Sequence, residues 1–322
     1  EKAVLDMMEG DEGMVRYLQR LVGCALLGGT TEEIMVFLVG NGCNGKSLFI
    51  NTLCKAFGEY ARSVPPKLLV STGKQVDSGV EAASPVLLSL KGARFACCSE
   101  TPLGAKLSES LVKQLTGHDQ ITARGMYARE AITFTPSWLL FMATNHMPVI
   151  RGTDRGIWRR IRIVHFRVDF ETDPRYCLDP MLSRELEAEL DGILTWCVRG
   201  ALDYQKNGLP TPAKVESAVG TAKQDFDLLN EWIMESCIID PKARVSTKDA
   251  WNSWQVHARA SGDIRLIDSQ RVFTRMMMER YEMGRSHGKN FLTGLRLKTA
   301  EELDAENEES PQLTEEEIDA LL

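Results

Sequence analysis

The chain has 322 residues, 43% of them hydrophobic and 26% charged, with a formal net charge of −7 at pH 7. That balance is ordinary for a globular protein of one large domain or two to three smaller ones, with residues enough for a real core. No apolar run is long enough for a bilayer-spanning helix and no secretory signal appears at the start, so no membrane partner is expected. The first residue is Glu1, which reads as the start of a fragment or processed chain.

The charge is unevenly placed. Residues 301–322 hold ten Asp or Glu and no Lys or Arg, so residues 1–300 carry about +3. Binding to a polyanion is therefore compatible with the acidic total. The tail reads as a solvated, disordered end, with Ile318, Leu321 and Leu322 as a candidate short docking helix. The eight cysteines contain no Cys-x-x-Cys pair, and Cys24, Cys54 and Cys197 lie in apolar helical settings. Buried reduced thiols in a cytosolic protein are expected, not disulfides or zinc.

Val4–Leu27 is apolar at helical spacing and stops at Gly28-Gly29. Ile34–Val39 is an unbroken apolar run that reads as a buried parallel strand. The loop Gly40-Asn41-Gly42-Cys43-Asn44-Gly45-Lys46-Ser47 follows, and residues 48–57 return to helical spacing. Strand, glycine-rich loop and helix in that order form a phosphate cradle: backbone N–H groups point inward and the helix adds its positive end. Lys46 is positioned to reach the β/γ-phosphates of a nucleoside triphosphate and the Ser47 hydroxyl to ligate Mg²⁺. Cys43 lies within this loop, where alkylation would block a ligand.

Pro65-Pro66 and Ser71-Thr72-Gly73 punctuate the next stretch, before a short helix containing Glu81-Ala82-Ala83. A second buried strand, Arg94–Cys98, runs into Ser99-Glu100. A carboxylate at the end of that strand can orient and deprotonate an attacking water and help hold a hydrated Mg²⁺. A helix from Ser108 to Leu115 stops at Gly117. Ile121–Arg124 and Ala131–Phe134 then alternate as a hairpin around a turn at residues 125–129. A third buried strand, Trp138–Ala143, ends at Thr144-Asn145, where a neutral amide can hydrogen-bond a phosphate or a lytic water without adding negative charge.

Arg151, Arg155, Arg159, Arg160 and Arg162 crowd the segment that leads into a fourth strand, Arg162–Phe166. At least one is a candidate arginine finger, and the others read as solvated arginines. Residues 111–165 carry a local excess of about +5, suited to phosphate contacts. Helices are expected within Met181–Gln205 and again after Leu209-Pro210-Thr211-Pro212. Strands alternating with helices predict an α/β fold with a mainly parallel sheet covered on both faces. Residues 225–298 read as a separate small domain with helices at 228–236, 247–260 and 269–281, then strands at 285–290 and 295–298. That order is winged-helix-like, and a helical appendage that only packs is the alternative.

These motifs, taken in order, closely resemble the phage/plasmid primase–helicase family of superfamily 3 helicases, which includes the poxvirus primase–helicase. The resemblance rests on Gly40–Ser47, Ser99-Glu100, Leu115–Arg124, Ala143-Thr144-Asn145-His146-Met147-Pro148, Gly152-Thr153-Asp154 and Trp158-Arg159-Arg160. It extends from Tyr17 through the Gly192–Trp196 helix and more loosely to Lys298. It implies an AAA+ P-loop ATPase core over residues 31–210, preceded by a helical segment over 1–30 as a candidate oligomerisation collar. The winged-helix-like domain (225–298) and an acidic tail (299–322) complete the expected organisation.

The same resemblance implies ATP and Mg²⁺ as cofactors and a homo-oligomeric ring, usually a hexamer, with nucleotide between subunits. Lys46, Ser47, Glu100 and Asn145 match the Walker A, Walker B and sensor positions. Arg160, with Arg159 close behind, matches a finger that acts on the neighbouring subunit. The hairpin matches a loop that projects into the central channel, making Arg124 and Arg129 candidates to grip single-stranded DNA and Tyr127 a stacking surface. Ser99 stands where an Asp is usual and His118 where Gly is frequent. The primase module of full-length relatives lies N-terminal to this region, so primer synthesis is not expected.

The function expected is an ATP-dependent helicase translocating on single-stranded DNA in the replication of a phage, plasmid or other mobile element. Its compartment would be the cytoplasm of a bacterial host or its equivalent. Duplex DNA or a replication partner could dock on the C-terminal domain through Arg271, Arg275, Arg285 or Lys289. Two alternatives stay open: an AAA+ loading or remodelling ATPase that grips DNA without unwinding it, and a DNA-binding assembly module with a vestigial nucleotide site.

Overall fold

A computed structural model of the chain describes residues 1–28, 31–71, 84–99, 101, 104–150, 155–260, 267, 269–278, 280–286, 289–299 and 301–302. Gly29, the stretch 81–83, Glu100, Arg151, residues 152–154 and the tail beyond Glu302 lie outside the described residues. The chain divides into two compact units, Glu1–Phe226 and Asp227–Leu322.

The first unit opens with helices α1 (Lys2–Met7) and α2 (Glu12–Leu27), then strand β1 (Met35–Val39), helix α3 (Lys46–Phe57) and strand β2 (Ala61–Ser63). Short elements follow: α4 (Pro66–Leu69), β3 (Val70–Ser71) and α5 (Ser84–Ser89). Strands β4 (Phe95–Ser99) and β5 (Lys106–Leu107) and helix α6 (Glu109–Thr116) lead to the hairpin strands β6 (Ile121–Ala123) and β7 (Ile132–Phe134). The unit ends with β8 (Leu139–Thr144), α7 (Arg155–Trp158), β9 (Ile161–His165), α8 (Leu182–Ala188), α9 (Leu190–Asn207) and α10 (Ala213–Asp225).

Five strands lie side by side in the order β2-β4-β8-β1-β9, and every neighbouring pair is parallel. Side chains alternate across a strand, so each strand feeds two cores. Val36, Leu38, Phe95, Cys97, Phe141 and Val164 join α1, α2, α3 and α9 on one face. Met35, Phe37, Ala96, Cys98, Leu140, Met142 and Ile163 join α4, α5, α6 and α7 on the other. Burying each large side chain contributes roughly 1.5–3 kcal/mol. That double coverage is why these strands read as unbroken apolar runs.

Two local expectations are corrected. The apolar spacing of residues 4–27 spans two helices, not one. Glu9 and Gly10 take positive φ (57° and 79°) and turn the chain, and Asp11 restarts it by accepting from Met14 N at 3.0 Å as the N-cap of α2. Strand β2 was not anticipated, because three residues with a central Arg62 at the sheet edge carry almost no apolar signal.

The second unit runs α11 (Leu228–Ser236), β10 (Cys237–Ser246), α12 (Thr247–Ala260), α13 (Gln270–Met278), β11 (Glu282–Ser286) and β12 (Lys289–Leu297). Its sheet has the order β10-β12-β11 and is antiparallel. Trp232, Trp254, Phe273, Leu292 and Leu295 are fully buried in its core. The closing strands β11 and β12 both begin earlier than the 285–290 and 295–298 pair expected, and β12 is the longer, at nine residues. β10 was missed because Pro241 and three charged residues interrupt it. As an edge strand it tolerates them, with a shift of register between Ile239 and Arg244.

All eight cysteines are free thiols. Among the described residues no helix is long and apolar enough to cross a membrane.

Asp11 ties α2 to α10 by pairing with Lys214 as well as capping. The Lys214 hydrogen bond, then the Met14 N–H, hold its carboxyl below its ordinary 3.8. The stabilisation is present above pH 3.8 and lost as pH falls through the depressed folded value. Asp11→Ala is expected to cost about 1 kcal/mol at pH 7, a fall in Tm of roughly 2–4 °C. Thermal melts should show the deficit shrinking below pH 3.8; a deficit independent of pH would contradict the assignment.

Candidate functional site

Strand β1 sits between β8 and β9. The chain leaves β1 to build β2, β4 and β8 on one side and later adds β9 on the other. Carboxyl ends around such a reversal border the crevice in which open α/β sheets bind ligands. The loop Gly40–Ser47 rises from β1 at this crevice.

Backbone bonds hold the loop from two sides. Gly40 N donates to Thr144 O at 3.3 Å, and Phe170 N donates to Cys43 O at 2.9 Å. Asn44 Nδ2 donates to Phe166 O at 3.3 Å. Two glycines are required by contact. A Cβ on Gly40 would lie 2.3 Å from both Asn44 Nδ2 and Phe166 O. Gly45 caps α3 at φ 84°, a left-handed conformation that also brings it against the Met7 side chain of α1.

Lys46 is 5% exposed. Its ammonium donates to Gly40 O at 2.6 Å, Asn44 Oδ1 at 2.9 Å and Asn145 Oδ1 at 3.3 Å. Three donors meet three acceptors, all of them neutral. Burial lowers the pKa of Lys46, because a desolvated cation is costly without an opposing charge. The electrostatics of the pocket therefore favour an anion.

Asn145 is exposed at the end of β8, as is Ser47 in the first turn of α3. The preceding Thr144 is buried and links β8 to the segment after β4. Its Oγ1 lies 2.6 Å from Thr101 Oγ1 and donates to His146 O at 2.7 Å. Ser47, Ser99, Thr101 and Asn145 line one cleft of about 1380 Å³. This is roomier than the roughly 300–1,000 Å³ of most small-molecule sites. Glu100, expected at the acidic position, lies outside the described residues. Cys43 is exposed and donates to Glu171 Oε2 at 3.2 Å; that hydrogen bond and the carboxylate's charge raise the thiol's pKa.

The structure brings Gly40, Asn44, Lys46, Ser47 and Asn145 together and puts Arg159 and Arg160 elsewhere. In the parallel register Met35 pairs with Ile161 and Val39 with His165. Both arginines precede the first pair and the loop follows the last. A five-residue strand, roughly 17 Å, therefore separates them within one chain. Arg160 is 8% exposed. Its guanidinium donates to Thr116 Oγ1 at 3.2 Å, Gly156 O at 2.7 Å and Glu33 Oε2 at 3.0 Å. Arg159 is exposed and donates to the same Glu33 oxygen at 2.6 Å.

The hairpin pairs Ile121 with Phe134 and Ala123 with Ile132, and the Thr122 and Thr133 hydroxyls meet across it at 3.0 Å. At its turn Tyr127 is 96% exposed with φ 63°, and Arg124 and Arg129 are exposed.

Sequence reasoning missed Met7, the strap at residues 166–171 and Glu33. The first two reach the loop by packing and backbone bonds, which leave no residue-type signal. Glu33 is a single carboxylate whose importance depends on arginines far along the chain.

No family model matches the chain. It is 29% identical over 243 residues to the helicase-named protein L207/L206 of Acanthamoeba polyphaga mimivirus, covering 71% of this chain and 25% of that protein. It is 27% identical over 260 residues to the helicase-named protein 022R of Frog virus 3, covering 76% of this chain and 26% of that one. With the primase-named C962R of African swine fever virus it shares 24% over 237 residues, covering 68% and 24%. The chain thus spans about a quarter of the length of these relatives. Among solved structures, the apo NrS-1 C-terminal region matches with a TM-score of 0.54, covering 91% of this chain and 74% of that one at 12% identity, a likeness of fold. The sequence likeness to these helicase- and primase-named viral proteins fits the primase–helicase family, and the NrS-1 likeness shows the fold alone.

Proposed function

We propose that the chain is the ATPase motor of a helicase that moves along single-stranded DNA in the replication of a virus or another mobile element. The observation that carries this reading is the buried Lys46 ammonium, held by neutral oxygens in a glycine loop between β1 and α3. Such a cation gains most from a polyphosphate, which supplies the missing charge.

In this reading the Gly40–Ser47 backbone cradles the phosphates of ATP and Lys46 contacts the β/γ-phosphates. Ser47 and Glu100 would hold Mg²⁺, which when bound would neutralise phosphate charge. Glu100 accepts a proton from the attacking water, whose oxygen bonds to the γ-phosphorus as the β–γ bridging bond breaks. ADP and inorganic phosphate are the products. Asn145 holds Lys46 and orients the water or the γ-phosphate. The sheet length between Lys46 and the Arg159-Arg160 pair supports a shared site, in which one copy's arginine completes the loop of the next. That is the AAA+ superfamily 3 arrangement, a ring and usually a hexamer.

The exposed hairpin turn supports a DNA contact through Arg124, Arg129 and Tyr127. Three helices with a three-stranded sheet in the second unit support a winged-helix reading of that unit. Arg271 and Arg275, exposed one turn apart on α13, are its candidate phosphate or partner contacts.

Two measurements test the proposal. Lys46→Ala should weaken Mg²⁺-ATP binding by about 10- to 100-fold, read by titration calorimetry, with the circular dichroism spectrum unchanged. Wild-type affinity would remove the loop from the nucleotide site. Arg129→Ala should weaken single-stranded DNA binding and reduce the slope of log K against log salt by about 0.7, read by fluorescence anisotropy. An unchanged slope and affinity would take the hairpin off the DNA-binding surface.

A further inference from the structure

Arg159 and Arg160 are adjacent in sequence and differ sharply in setting. Arg160 is anchored at every nitrogen. Nε meets Thr116 Oγ1, Nη1 meets Gly156 O and Nη2 meets Glu33 Oε2. Thr116 is itself fixed, donating its hydroxyl to Val112 O at 2.7 Å within α6. The Arg160 carbonyl is fixed too, accepting from Met35 N at 2.7 Å. Its side chain is only 9% exposed. A guanidinium with all its nitrogens engaged and almost no solvent access is a post in the structure.

Arg159 has the opposite character. Its side chain is 62% exposed, and among the described residues its guanidinium meets one acceptor, the Glu33 oxygen that also holds Arg160. That contact uses Nη2 and leaves Nε and Nη1 with protons to donate. An arginine so placed can keep its carboxylate and still grip a phosphate. Glu33 stands just before β1, its backbone in the left-handed region at φ 49°, and its carboxylate is one-quarter exposed. A non-glycine residue held in that conformation is overdetermined by its surroundings. Here the surroundings include two arginines on one carboxylate oxygen.

We propose that Glu33 is a positioning residue which, braced on the immobile Arg160, presents Arg159 outward to the triphosphate bound by an adjoining copy of the chain. The proposal rests on the shared-site reading given above and deepens it. Arg159 is the residue that touches the neighbour's nucleotide; Arg160 and Glu33 act through it.

The test is steady-state ATP hydrolysis by the purified chain, read as kcat and KM, with ATP-analogue affinity and Tm measured in parallel. Arg159→Ala should lose kcat by about a thousandfold, in the range known for arginine fingers, with analogue affinity within twofold and Tm unchanged. Glu33→Ala should lose kcat about tenfold at a KM within twofold. Glu33→Gln, which keeps the acceptor oxygen and discards the charge, should recover at least half of the wild-type rate. Mixing Arg159→Ala with Lys46→Ala should restore turnover, because each supplies the half-site the other lacks.

A wild-type kcat for Arg159→Ala alongside a collapsed kcat for a folded Arg160→Lys would overturn the division of labour. A wild-type kcat for Glu33→Ala would overturn the positioning role. Undiminished turnover in Lys46→Ala alone would instead overturn the nucleotide reading beneath both.

Discussion

The first unit is organised around one buried positive charge. Lys46 carries its ammonium into a cage of three neutral oxygens, from the first residue of its own loop, from Asn44 and from Asn145 on a different strand. The cage fixes several other features. Gly40 has to lack a side chain because Asn44 and Phe166 occupy the space beside it. Gly45 has to take a left-handed turn for α3 to begin where it does. β8 has to run next to β1 for Asn145 to reach across. Burial lowers the ammonium's pKa, so the arrangement is electrostatically incomplete without an anion.

A second constraint comes from the sheet being parallel throughout. All five strands point the same way, so groups before a strand and groups after it lie at opposite ends of the fold. The loop occupies one end. The Glu33–Arg159–Arg160 cluster occupies the other, with Arg160 linked to β1 through Met35 N. Two chemically complementary halves, an anion cradle and an arginine aimed outward, are thereby held apart in one chain. The proposed ring is the arrangement that joins them, the cradle of one copy meeting the arginine of the next.

Much of this was legible in the sequence for physical reasons. The central strands are buried on both faces, so they stand out as continuous apolar runs. The loop is legible because its glycines, Lys46 and Ser47 are each required by local backbone geometry or phosphate chemistry. What was illegible depends on distant partners. The apolar stripe of α2 continues into α1, so periodicity alone hides the turn at Glu9 and Gly10. β10 carries Pro241 and charged residues that only an edge strand with a bulge accepts. Glu33 has no motif at all. Its role follows from where α7 delivers two arginines more than a hundred residues later. The family resemblance put Arg160 ahead of Arg159 as the finger; burial, which the sequence does not carry, is what separates an anchored guanidinium from a projecting one.

The central claim is that the Lys46 cradle and the Arg159 end of the sheet form one nucleotide site between copies of the chain. Particle images of the protein with a non-hydrolysable ATP analogue, Mg²⁺ and single-stranded DNA test it directly. The account predicts closed rings with the triphosphate between subunits, Lys46 on one side and Arg159 of the next copy on the other. Nucleotide enclosed wholly within one chain, with both arginines turned away from every phosphate, would contradict it.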